Sequence, residues 1–202
     1  MPPSVCTELT QAQQTTLLAL ARTAIESRLD NQPAPRAPSE ESIFHKRLGV
    51  FVTLKKFGQL RGCIGVFEGV APLADSAIDC AQGAAFRDPR FPQLGPEELT
   101  EIQISVSVLS PSEPMQISSR EDLLAQLQPG RDGLILTEGA QRATFLPQVW
   151  EQLPDKGDFV AQLLRKAGLP GDYWSPALRA SRYRSISFAE PVPRSPGTAG
   201  PA

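Results

Sequence analysis

The segment from residue 50 to residue 67 constrains this chain most. Val50-Phe51-Val52-Thr53-Leu54 is apolar and β-branched, as a buried strand should be. Gly58 marks a turn, and Leu60 to Phe67 returns as a second strand. Two glycines inside the return strand, Gly62 and Gly65, weaken it and signal a bulge or a close backbone approach. A second hairpin is expected around Gly139, joining Leu134-Ile135-Leu136 to Thr144-Phe145-Leu146. Ile102, Ile104, Val106 and Val108 alternate with Gln103, Ser105 and Ser107, which predicts a strand with one face in the core. Tyr183, Ile186 and Phe188 suggest a last strand. Helices are predicted over about 10–29, where Thr10 and Gln13 form a capping box, and from Pro72 through Ala84. Ser119 opens a shorter one that runs to Leu127, and Asp158 opens another that runs to Ala167, with Gly168 at C′. Strands that arrive as hairpins predict an α+β fold with largely antiparallel sheets, not a doubly wound parallel sheet.

A length of 202 residues suits one domain, or one domain with a lobe, and 41% apolar residues can build its core. The net charge of −2, with both signs mixed along the chain, argues against a nucleic-acid surface. No apolar run is long enough to span a bilayer, and Met1-Pro2-Pro3-Ser4 does not open a signal peptide, so the expected location is the cytoplasm. The three cysteines, Cys6, Cys63 and Cys80, are no disulfide framework, and with His45 the only histidine a Cys/His zinc site is not expected. Phosphate-cradling glycine motifs are missing and no cofactor is predicted. The Gln32–Pro38 stretch is a proline-rich loop, and 191–202 reads as a disordered tail.

Cys63 is the leading reactive candidate. Strict alternation places Arg61 on its face, roughly 7 Å away at Cα. A guanidinium there would favour the thiolate, which is the nucleophilic form. Gly62 and Gly65 would leave bare backbone for a substrate or partner to approach. The competing reading is a packed cysteine acting as a small hydrophobe. Cys80 lies on the apolar stripe of its helix and reads as core; Cys6 reads as incidental and His45 as a surface or capping residue. In Arg87-Asp88-Pro89-Arg90-Phe91, a turn could present Arg87 and Arg90 as a fork for a carboxylate or phosphate. The alternative is a self-satisfied loop in which Asp88 pairs with an arginine. Thr144 is a candidate polar lining residue, and no catalytic triad can be assembled.

These motifs resemble the AMMECR1 family. The resemblance rests on Gly49–Leu54, Leu60-Arg61-Gly62-Cys63-Ile64-Gly65, Ala84-Ala85-Phe86, Asp88-Pro89-Arg90-Phe91, Thr144–Trp150 and Lys166-Ala167-Gly168-Leu169-Pro170. It implies one continuous domain over 1–190, with two subdomains and a cleft between them, and makes the segment around Cys63 a hallmark. It also implies a partnership with a Memo-like protein and a radical S-adenosylmethionine enzyme, as component A of an AmmeMemoRadiSam system. Two functions are compatible with it. One is an enzyme or enzyme component using Cys63 and Arg61, with Gly62, Gly65, Arg87, Asp88, Arg90 and Thr144 around a small anionic substrate. The other is a binding or regulatory module that docks a protein in the cleft. Many relatives carry an acid where this chain has Ser105.

Overall fold

The computed structural model describes residues 9–193. The chain divides into two compact units, one running to Leu109 and resuming at Ile186, the other spanning Ser110–Ser185. Each has its own four-stranded sheet, with antiparallel pairing, and the mixed α+β class agrees with the expectation. No helix among the described residues is long and apolar enough to cross a membrane.

In the first unit the strand order is β2-β1-β3-β8. These strands are β1 (Gly49–Lys56), β2 (Gln59–Val66), β3 (Ile102–Leu109) and β8 (Ser185–Ala189). One face carries Val50, Val52 and Leu54 beside Ile104, Val106 and Val108, all fully buried. Helices α1 (Gln11–Leu29) and α2 (Leu73–Phe86) complete that core. The Thr10–Gln13 capping box opens α1 as expected. Pro72 serves as the cap of α2, so that helix begins one residue later than its proline suggests. Past β8, the Glu190 carboxylate accepts two bonds from Arg22 on α1 and one from the Ile104 amide, fastening the returning chain to helix and sheet.

The second unit has the order β4-β7-β5-β6. Its strands are β4 (Glu113–Met115), β5 (Gly133–Glu138), β6 (Gln141–Phe145) and β7 (Arg179–Tyr183), with helices α3 (Arg120–Gln126) and α4 (Lys156–Lys166). Trp150 stacks on Phe159 with ring centroids 3.7 Å apart in its core. Ser119 caps α3 as expected, whereas the cap of α4 is Asp155, which accepts from the Asp158 amide. Asp158 therefore lies in the first turn, where its charge suits the positive end of the helix. The expected single last strand is two strands: β7 ends at Tyr183 and joins this sheet, and β8 begins at Ser185 and joins the other. Cys6 and most of the predicted tail lie outside the described residues.

The β1–β2 hairpin sets the position of Cys63. Its turn is the pair Phe57-Gly58, with φ of +49° and +79°, closing the two-residue loop between Lys56 and Gln59. Leu54 then faces Gly62 while Lys55 faces Leu60, which leaves Arg61 as an extra residue in a β-bulge. At Gly62 the backbone of α2 passes so close that a Cβ would collide with the Ala84 carbonyl. Gly62→Ala is therefore expected to cost about 3 kcal/mol, at the upper end for overpacking, because backbone cannot step aside. Gly58→Ala meets open space and should cost only about 1 kcal/mol for the positive φ. Urea unfolding of the two variants measures both, and equal costs would contradict the close approach.

Candidate functional site

Cys63 pairs with Thr53 across the hairpin, on the sheet face opposite the buried valines. The residue is partly buried. β2 is an edge strand, and at Cys63 both main-chain polar groups turn outward, away from β1. Such a non-hydrogen-bonded antiparallel pair brings its side chains close. The Thr53 hydroxyl accordingly donates to Cys63 Sγ at 3.2 Å. Ser105, next in the same cross-strand row, donates to the Thr53 carbonyl at 3.3 Å.

The outward groups of Cys63 are held by the loop after α2. The Cys63 N–H donates to Asp88 Oδ2 at 2.9 Å, and the Cys63 carbonyl accepts from Arg90 Nη2 at 3.3 Å. Arg90 also grips the Asp88 carboxylate through Nε at 2.9 Å and Nη2 at 2.6 Å. Local sequence builds this clamp. Asp88-Pro89-Arg90-Phe91 is a β-turn closed by the Phe91 amide on the Asp88 carbonyl, with proline preset at its second position. Asp88 Oδ1 accepts from the Arg90 amide, an Asx turn. The Arg90 guanidinium, helped by the Cys63 and Arg90 amides, holds the Asp88 carboxyl well below the carboxylate range despite its burial.

The other predicted site residues lie elsewhere. Arg61 does not support the Cys63 thiol. The bulge breaks the two-residue alternation that set them on one face, and Arg61 is buried against Glu98. Its guanidinium makes two bonds to that carboxylate, at 2.9 and 2.8 Å, and further bonds to the Pro92 and Gln93 carbonyls. Neither Gly62 nor Gly65 offers bare backbone to a ligand. The space beside Gly62 is filled by α2 at Ala84, and that beside Gly65 by the Phe51 ring. Arg87 and Arg90 form no fork, since Arg87 turns back along α2 to Asp79 while Arg90 holds Asp88. Thr144 belongs to the second unit, where its hydroxyl bonds the Tyr183 hydroxyl at 2.9 Å. Cys80 is core, and burial raises its thiol to about 11. The sequence reading missed Thr53 and Glu98. Thr53 is the one hydroxyl in an apolar strand, but only the bulged register shows that it faces Cys63. Among the described residues no group of three or more His, Cys, Asp or Glu side chains could hold a metal ion.

The AMMECR1 family model matches residues 18–188. The chain belongs to the AMMECR1 family. Its similarity extends to a protein of Methanothermobacter thermautotrophicus, 43% identical over 185 residues that cover 90% of this chain and 96% of the relative. Protein MK0488 of Methanopyrus kandleri is 37% identical over 94% of both chains. The crystal structure of the uncharacterized protein PH0010 from Pyrococcus horikoshii superposes with a TM-score of 0.82 at 34% identity, covering 93% of this chain and 96% of that one. In this AMMECR1-family chain the Leu60–Gly65 segment is thus part of a bulged edge strand, with an ion pair at Arg61 and a clamped main chain at Cys63.

The Arg61–Glu98 pair has a pH consequence. Arg61, the Gly95 amide and Lys56 hold the Glu98 carboxyl down to about 2, against an ordinary 4.5. A depressed carboxyl stabilises the fold above its unfolded value and ceases to as pH falls through its folded value. Glu98 should therefore contribute about 2–3 kcal/mol near neutrality, lost between about pH 5 and about pH 2. Chemical denaturation across that range checks it. Glu98→Gln should start lower and lose less on acidification, and a variant with an unchanged acid limb would contradict the assignment.

Proposed function

We propose that this chain is an enzyme or enzyme component that works through Cys63 as a nucleophile or covalent carrier. One observation carries the reading. The main chain of Cys63 is clamped at both polar groups by Asp88 and Arg90, while the residue itself is only partly buried and its sulfur sits beside a donating hydroxyl. A cysteine retained only for packing needs no such frame. A fixed backbone with an accessible sulfur is what an oriented nucleophile requires. Arg90, whose side chain is 55% exposed, takes over the charge role first expected of Arg61, and is the group to meet a small anionic substrate. The proposed partners are a Memo-like protein and a radical S-adenosylmethionine enzyme, on the strength of family membership.

The reading predicts that iodoacetamide alkylates Cys63 in the native chain at a rate at least comparable with that of an unfolded thiol. Cys80, buried and held as a thiol, should stay unmodified until denaturation. Mass spectrometry of peptides after timed alkylation gives both rates, and a Cys63 that resists until unfolding would sink the proposal.

A second reading, a binding or adaptor module, is favoured by one feature. The hairpin tip exposes Phe57 and Leu60, and Phe57 holds a positive φ that a bulky residue adopts at a cost. Asn tolerates that conformation better. Phe57→Asn should therefore raise stability by about 0.5–1 kcal/mol, while weakening capture of a Memo-like partner if the tip is a docking element. Full partner affinity in a stabilised Phe57→Asn chain would count against this reading.

A further inference from the structure

In the second unit, Arg120 Nε is a buried side-chain nitrogen without a hydrogen-bond partner. Such orphans are rare, because burial strips water from a donor and normally replaces it. Arg120 opens α3, and its guanidinium reaches the loop after α4, where Nη2 donates to the Gly171 carbonyl at 3.4 Å. A second guanidinium lies on the same residue. Arg165, in the last turn of α4, sits so close that a Cβ on Gly171 would come within 2.9 Å of its Cζ and Nη2. Gly171 has no positive φ, so it is this close approach that calls for glycine. The two contacts and the size of one residue hold the guanidiniums within about 10 Å of each other. Elsewhere the arginines that fasten chain segments do so on carboxylates: Arg22 on Glu190, Arg61 on Glu98 and Arg90 on Asp88. Neither Arg120 nor Arg165 makes an ion pair among the described residues. Glu121 feels the Arg120 charge only at longer range, and Asp172, beside Gly171, is exposed. Two cations therefore converge on one glycine, one of them with a desolvated and unserved donor, and the anion that would repay them is not supplied by the chain.

We propose that Arg120 and Arg165 form a receptor at Gly171 for a phosphoryl group, free or carried by a small phosphate ester. A carboxylate offers two coplanar oxygens, which a single guanidinium takes up as a fork. Two guanidiniums that reach one spot from different elements suit a tetrahedral anion, whose oxygens point in several directions. Gly171 is the positioning element: it brings Arg165 off the end of α4 and onto the loop that Arg120 already holds. The site lies in the second unit and is independent of the reading of Cys63, which belongs to the first.

The test titrates the full chain with inorganic phosphate, glycerol 3-phosphate and acetate at constant ionic strength. Two signals are read: the fluorescence of Trp174, three residues from Gly171, and the proton–nitrogen resonance of Arg120 Nε–H, which is shut from solvent. Phosphate or its ester should give a saturable response with half-saturation on the order of 1 mM, and acetate should bind at least about tenfold more weakly. The tighter of the two phosphoryl compounds identifies the source. Gly171→Ala keeps both charges but pushes the flexible end of Arg165 aside, so it should weaken phosphate binding about fivefold or more. Arg165→Gln, at an exposed side chain, should do the same, whereas Arg131→Gln, another exposed arginine of this unit, should leave binding unchanged. No saturable response to either phosphoryl compound overturns the proposal. So does an affinity that Gly171→Ala and Arg165→Gln both leave intact, and acetate binding as tight as phosphate overturns the ligand class.

Discussion

The carboxylate of Asp88 is the group on which the geometry around Cys63 depends. It is buried, yet ionised, because four donors converge on it: the Cys63 and Arg90 amides, Arg90 Nε and Arg90 Nη2. An unpaired charge in that position would be costly, so removing one partner penalises the others. The result is a coupling between distant parts of the first unit. A turn that follows α2 fixes an edge strand of the sheet, and Arg90 reaches past Asp88 to hold the same residue's carbonyl. Edge strands present unsatisfied polar groups that invite other chains to pair. At Cys63 the turn supplies the partners that a fifth strand would have supplied, so the edge is closed there.

The bulge at Arg61 is the second constraint, and it explains why Arg61 and Cys63 play unrelated roles two residues apart. Leu54 opposite Gly62 brings α2 down onto the strand where a side chain would block it. The extra residue then sends the guanidinium of Arg61 into a cluster with Glu98, with Lys56 on the same carboxylate. Glu98 sits in a short turn anchored by its own bond to the Gly95 amide. The segment therefore encodes two devices in sequence, a largely buried ion pair that seats the hairpin and a clamped main chain at Cys63 beyond it. Gly62 lets the backbone of α2 approach the strand, and the space beside Gly65 is taken by the Phe51 ring.

Much of this fold was legible because it follows from local rules. The alternation from Ile102 to Val108, the capping box at Thr10 and the Ser119 cap depend on periodicity and neighbouring residues, and they stand as read. The Asp88-Pro89-Arg90 turn was also legible, including the possibility that Asp88 pairs with an arginine. What failed depended on register or on long-range choice. A single inserted residue moved Arg61 off the face assigned to it, and nothing in the spacing of Arg61 and Cys63 reveals the bulge. Tyr183 and Ile186 look like one strand, since both segments are β-prone, but the chain changes sheets at Arg184. Thr53 was invisible as a site residue for the same reason as Arg61: its partner is set by pairing across the hairpin.

This division between local and long-range information bears on how the site should be understood. The groups bonded to Cys63 come from two separate elements. The hydroxyl is from β1, the carboxylate and guanidinium are both from the turn after α2, and Ser105 of β3 in turn bonds the Thr53 carbonyl. None of these residue types is unusual alone, and no short motif contains them all. A thiol that served only as filler would tolerate looser surroundings, since a small apolar residue packs equally well against threonine. The main-chain clamp is different in kind, because it fixes the backbone at the cysteine without using the sulfur, whose hydrogen bond comes from Thr53. Such an arrangement constrains where the thiol points and how it can be approached. It also engages the cysteine's own amide, which the buried Asp88 carboxylate holds at 2.9 Å.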